Sequence, residues 1–193
     1  MSNIIRPGAG ILFMKVGTHA QETLEDIIAR KTKEIEDAGY ALWGYGGNTC
    51  HPQTMVQPFA RSYEERGHTI YLCMQEMVSK HSAEPMRADQ LSEDGITWKD
   101  IPKAINVLGS RYALPIKRLH MERLELPLAQ TRVAIGSSQG RAGDQYISGR
   151  VDKACLEVTA PTNEKEAGAH VININLVAEL IRPYAVYVRF APS

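Results

Sequence analysis

Cys50 and His51 stand side by side in GYGGNTCHP, residues 44–52, directly behind Gly44, Gly46 and Gly47. A thiol at a helix N-terminus can lose its proton more readily than a free cysteine, and the thiolate is the nucleophilic form. Neighbouring side chains usually diverge, so His51 is a poor base for Cys50. The base would have to be His19, His68, His81, His120 or His170, brought in by folding, and the chain order does not choose among them. A zinc site joining Cys50 or His51 to Cys73 and His81 would match no recurrent ligand spacing, so no metal is expected.

The same glycines suggest recognition. A strand that ends in glycines before a helix leaves backbone N–H groups free, and such a turn can form an anion-binding nest. Two specific versions fail. No lysine lies in the stretch, so the phosphate loop is absent. The dinucleotide fingerprint has Gly44 and Gly46 but Thr49 in its third place. Trp43 and Tyr45 alternate around Gly44, so both point to one side of a strand, either to stack a base or to fill a core.

GSSQG, residues 136–140, fits the nucleophile-elbow pattern with Ser138 central, and Asp144 or Asp152 and then His170 follow in chain order. The elbow needs a helix directly after the serine to aim it, and RAGDQYISGR has no amphipathic period. A glycine-rich loop between strands is the simpler reading. Arg141 and Arg150 bracket that loop and Tyr146 lies within it, a composition that can clamp a phosphate or a base. The candidate ligand set is therefore Trp43, Tyr45, Gly46, Gly47, Asn48, Thr49, His51, Ser138, Arg141, Tyr146 and Arg150. Cys50 and His51 are the only weak catalytic candidates, and no cofactor is implied. Trp98, in ITWKDIP, is either a core anchor or a pocket wall.

The elements that must position these residues alternate at first. ILFMKVG (11–17) reads as a buried strand. Leu24, Ile27, Ile28, Ile35 and Ala38 fall at helical spacing, with Thr18 or Thr23 as the cap and Gly39 as the stop. A strand over Tyr40–Tyr45 follows. A helix over 55–66, capped by Thr54 with Gln57 as reciprocal partner, would put Pro58 in its first turn, and Gly67 would end it. HTIYLCMQEM (68–77) is the next strand. From there the chain is polar and punctuated over 78–95, with the turn dipeptide Asp94-Gly95, and then strand-rich. VININ (171–175) alternates cleanly, so one face is buried. The expected fold class is mixed α+β: a β-α-β-α-β segment, then an antiparallel half, curled and barrel-like in one form. A single domain over 1–193 is expected, with its weakest point at 78–95.

The 193 residues suit one domain with a proper core, and 44% hydrophobic with 23% charged is ordinary for a soluble globular protein. The formal net charge is zero, which implies no strong general affinity for nucleic acid or anionic membrane. Residues 103–153 nevertheless carry nine Lys/Arg against four Asp/Glu, so a local basic face for nucleic acid is one expectation. No apolar run approaches the roughly 20 residues that span a bilayer. Three widely spaced cysteines without CxxC suit reduced thiols in a cytoplasm. The sequence favours a non-catalytic binding module for a small anionic, nucleotide-like or nucleic-acid ligand held by the glycine loops. The alternatives are a small hydrolase or transferase using Cys50 or a histidine, and an accessory or interaction protein without a small ligand. Oligomeric state is not indicated.

Overall fold

The computed structural model describes residues 4–18, 22–46, 51–80, 86–147, 151–161 and 170–191. Gly47, Asn48, Thr49, Cys50 and Arg150 lie outside the described residues. The chain is mixed α+β, and its first five elements come in the order expected. These are β1 (Gly10–Thr18), α1 (Leu24–Ala38), β2 (Ala41–Gly44), α2 (Gln53–Glu64) and β3 (Tyr71–Lys80). The strand-rich remainder holds β4 (Gln90–Ser92), β5 (Lys99–Asp100), β6 (Tyr112–Pro127), β7 (Thr131–Val133), β8 (Lys153–Val158), β9 (Val171–Leu180) and β10 (Val186–Arg189). A four-residue helix, α3 (Gly143–Tyr146), follows the GSSQG turn.

The strands follow the order β5-β4-β10-β6-β9-β3-β1-β8-β7, with β2 paired to β6 off this path. The ladders β1/β8, β2/β6, β4/β5, β4/β10, β6/β10 and β7/β8 are all antiparallel. A barrel would need a ladder between β5 and β7, and the strand path has none among the described residues.

Two compact units partition the chain. The first comprises Met1–Val16, Asn48–Glu76 and His120–Ala178. Its core joins Ile11 and Phe13 of β1 to Cys73 of β3, Leu126 of β6, Ala154 and Leu156 of β8, and Ile174 of β9. Helix α2 belongs to it and buries Val56, Phe59, Ala60 and Tyr63. This helix starts two residues earlier than expected. Pro52 is its N-cap, without a side-chain cap bond, and Pro58 lies inside. Pro58 has no N–H to give the Thr54 carbonyl, yet the apolar face of the helix is long enough to hold it in place.

The second unit comprises Gly17–Gly47, Met77–Leu119 and Glu179–Ser193. Its core gathers Leu42, Ile101, Ile105, Val107, Ala113, Val186 and Val188. Helix α1 has the caps its sequence offers. Thr23 accepts from the Asp26 amide, Asp26 reaches back to Thr23, and Gly39 closes the helix in the left-handed region. On the face toward residues 105–107, α1 buries charge. Lys31 donates to Glu34 at 2.9 Å and to the Asn106 carbonyl at 2.7 Å. Arg30 bonds both oxygens of Glu22, and it also reaches Glu34 and the Asn106 carbonyl.

Candidate functional site: the outward face of the second unit

Alternation along β10 sorts its side chains. Val186 and Val188 go into the core, while Tyr187 is half-buried and Arg189 exposed on the other face. The register extends that outward face across neighbouring strands. Tyr187 stands opposite Tyr112 on β6 and Ser92 on β4, and Arg189 stands opposite Gln90. The Tyr112 and Tyr187 rings meet edge to face at 5.6 Å. On the far side of β6, Gly44 pairs with Ala113 and the Tyr45 amide donates to the Tyr112 carbonyl at 2.9 Å. Tyr45, just past the end of β2, and Tyr112 and Tyr187 thus lie in one row, which is covered at its Tyr45 end.

Beside that row the Arg189 guanidinium lies 3.7 Å over the Trp98 ring. Its Nε donates to Gln90 Oε1, and Gln90 in turn donates to Asp100 on β5. A planar cation on an indole is held by the ring's negative face. It leaves the guanidinium plane as a surface on which a flat, electron-rich ring can stack. Lys99 and Arg111, both exposed, follow Trp98 and precede Tyr112 in sequence, and the register sets them on the opposite face with Leu91 and Val188.

The turn before Trp98 sets this geometry. Asp94 Oδ1 accepts from the amides of Ile96 at 2.7 Å and Thr97 at 2.8 Å and from Ser92 Oγ at 3.0 Å. Those donors, the Thr97 amide foremost, pull its carboxyl down to about 2. Gly95 takes φ +77°, and a Cβ there would sit 3.5 Å from the Tyr187 ring, so the turn lies against that tyrosine. Ile96, at the tip, is 83% exposed, and Phe190 is 45% exposed.

Most of the residues singled out from the sequence sit elsewhere. Trp43 and Tyr45 do share a side, and both are buried core residues, at 6% and 3% exposure. Gly44 makes a close approach, since a Cβ would meet Ser110 Oγ at 2.7 Å, whereas at Gly46 a Cβ would make only ordinary contact with that oxygen, at 3.9 Å.

In the first unit, His51 is buried and both ring nitrogens are engaged. Nδ1 accepts the Cys155 amide at 2.8 Å, and the ring donates to the backbone of Ile135. Tyr146 stacks on it with centroids 5.6 Å apart. Gly136, at φ +88°, lies against Met55 and His51. So His51 and the 136–146 loop do meet, as packed partners. Burial holds the His51 imidazole below its ordinary value.

Ser138 is half-buried in its turn and Arg141 is exposed. His170 Nδ1 pairs with Asp144 Oδ2 at 2.7 Å, and that pair sits at the Leu128–Thr131 end of β7, where the His170 carbonyl accepts the Leu128 amide. The GSSQG turn leaves from the Val133 end, where Gly140 donates to the Val133 carbonyl. Cys73 and Cys155 are fully buried thiols, Cys73 pushed up to about 12 and Cys155 further still, both by loss of solvent. Among the described residues, no group of three or more His, Cys, Asp or Glu side chains could hold a metal ion. No helix among them is long and apolar enough to cross a membrane.

Three of the cations of residues 103–153 have these partners. In the second unit Arg118 and Lys117 turn to Glu179, at 3.1 and 3.8 Å. In the first, Arg132 donates to the Ala129 and Thr131 carbonyls.

Tyr112, Tyr187, Arg189 and Gln90 carry no motif. For Tyr187 and Arg189 the signal is the alternation over Val186–Arg189, and nothing local tells that Tyr112 and Gln90 lie alongside. No protein-family model, curated protein or solved structure matches the chain.

Proposed function

We propose that this protein is a non-catalytic binding module whose ligand carries a nucleobase, held on the outward face of the second unit. The observation that carries the reading is the exposed Arg189 guanidinium stacked on Trp98, next to the Tyr112–Tyr187 pair. Aromatic and guanidinium planes stack bases at about 1–3 kcal/mol each and tolerate sequence, because every base has a flat face. Gln90 fixes the arginine, so little freedom is lost on binding. The ligand surface of this reading keeps Tyr45 and Gly46 as neighbours of Tyr112 rather than as contacts.

The test is titration of the whole chain with a nucleotide panel and short oligonucleotides at low salt, followed by isothermal titration calorimetry. The expected result is saturable binding that Trp98→Ala and Arg189→Ala abolish. No binding at millimolar ligand would overturn it.

Ile96 and Phe190, large and exposed in the same unit, favour a second reading as an interaction protein, since tryptophan, tyrosine and arginine are also the residues of protein hot spots. It expects self-association or a co-purifying partner, weakened by Ile96→Asp.

A further inference from the structure

We infer that the face takes a single strand of nucleic acid across two stacking stations, rather than a lone nucleotide. The inference rests on the reading just proposed and adds the ligand's form. Tyr112 and Tyr187 are directly opposite in the β6/β10 ladder and make the first station. Arg189 lies two residues beyond Tyr187 on the same face and, with Trp98, makes the second.

Diagonal neighbours in an antiparallel pair are about 7–8 Å apart, which sets the spacing between the backbone positions of Tyr112 and Arg189. Successive bases in a stacked strand rise ~3.4 Å, so an unstacked strand drawn out to roughly twice that spacing places neighbouring bases on the two stations. A mononucleotide occupies one and leaves the other in water. Lys99, opposite Leu91, and Arg111, across from Val188, fall on the other face of the sheet, so what holds the strand is the two stations and the Arg189 charge. A duplex hides its base faces in its own stack and gains nothing from either station.

The experiment measures affinity of the whole chain for thymidylates of one, two, four and eight nucleotides and for an eight-base-pair duplex, at two salt concentrations. The tetranucleotide is expected to bind at least ~10-fold tighter than the mononucleotide and the duplex, with little further gain at eight. Tyr112→Ala is expected to erase that length advantage. Arg189→Lys, which keeps the charge and loses the plane, is expected to weaken the tetranucleotide ~10-fold. Thermal melting of each variant checks that it folds, and Tyr112→Phe, which keeps the ring, should restore the advantage.

Equal affinity for mono- and tetranucleotide would overturn the two-station inference and leave the proposed function standing. Full binding by Arg189→Lys, or duplex binding as tight as single-strand binding, would overturn stacking in favour of simple charge. No binding of any thymidylate, with concentration-dependent self-association lost in Ile96→Asp, would overturn both and assign the face to a second copy of the chain.

Discussion

His51 Nδ1 accepts the amide proton of Cys155 at 2.8 Å, across 104 residues of sequence. An acceptor nitrogen carries no proton, so the bond requires a neutral ring, and burial keeps the folded-state value below 6.5. The unfolded chain therefore takes up a proton that the folded chain refuses. This group's contribution is present above pH ~6.5 and is lost as pH falls from there toward the depressed folded value. Denaturant unfolding between pH 5 and 8 should show that slope. His51→Ala should flatten it and cost ~1–3 kcal/mol through the orphaned Cys155 amide.

Lys31 titrates in the opposite part of the range. Burial pulls its ammonium down to about 8 from 10.5, against the raising effect of Glu34. Between those values the unfolded chain holds more protons than the folded one, so stability rises with pH across that window, by at most ~3 kcal/mol. Lys31→Met should remove the rise. Glu34→Ala leaves Lys31 with only the Asn106 carbonyl and Arg30 with only Glu22 and that carbonyl, and should destabilise by ~3–5 kcal/mol. Urea titrations at pH 7.5 and 9.5 measure both.

Gly10 is empty because Tyr63 fills the space. A Cβ at Gly10 would come within 2.8 Å of the Tyr63 ring, whose hydroxyl donates to Glu157 and whose face carries Arg66 at 4.0 Å. Gly10→Ala should cost ~1–3 kcal/mol. In a Tyr63→Ala background most of that penalty should vanish, and the double-mutant cycle would read the coupling directly.

Gly143 is constrained more tightly still. A Cβ there would overlap Thr131 Oγ1 and approach the Leu128 carbonyl, the two groups that Thr131 already joins by a hydrogen bond at 2.8 Å. Gly143→Ala should lower the melting temperature by several degrees, about 1–3 kcal/mol, and disturb the Asp144–His170 pair beside it.

Cys73 and Cys155, buried and pushed up, should resist alkylation of the native protein at pH 8 and react only on unfolding. Mass mapping separates them from Cys50. Rapid native modification at Cys50 with a depressed pKa would support the enzyme alternative. Slow modification there would remove its nucleophile.

Helix α1 was legible because its evidence is local. The 3.6-residue spacing, Thr23 with Asp26, and Gly39 each act within one turn of the chain. The order β-α-β-α-β and the alternation of VININ were legible for the same reason. The start of α2 was misplaced because Pro58 was judged by a local rule, and burial of Val56, Phe59, Ala60 and Tyr63 outweighed it. Alternation put Trp43 and Tyr45 on one side of a strand but could not say that this side is covered.

The sequence by itself determined helix α1 with its caps, the order of the first five elements and the turn at Asp94-Gly95, since backbone sterics and nearest-turn hydrogen bonds reach only a few residues. Tertiary structure alone decided that Arg189 and Gln90, 99 residues apart, would share one outward face with Trp98 and Tyr112. It also decided that His51 would be consumed in packing. Both outcomes depend on strand order, and strand order is set by the burial of whole faces against one another, a quantity that no short stretch of chain contains.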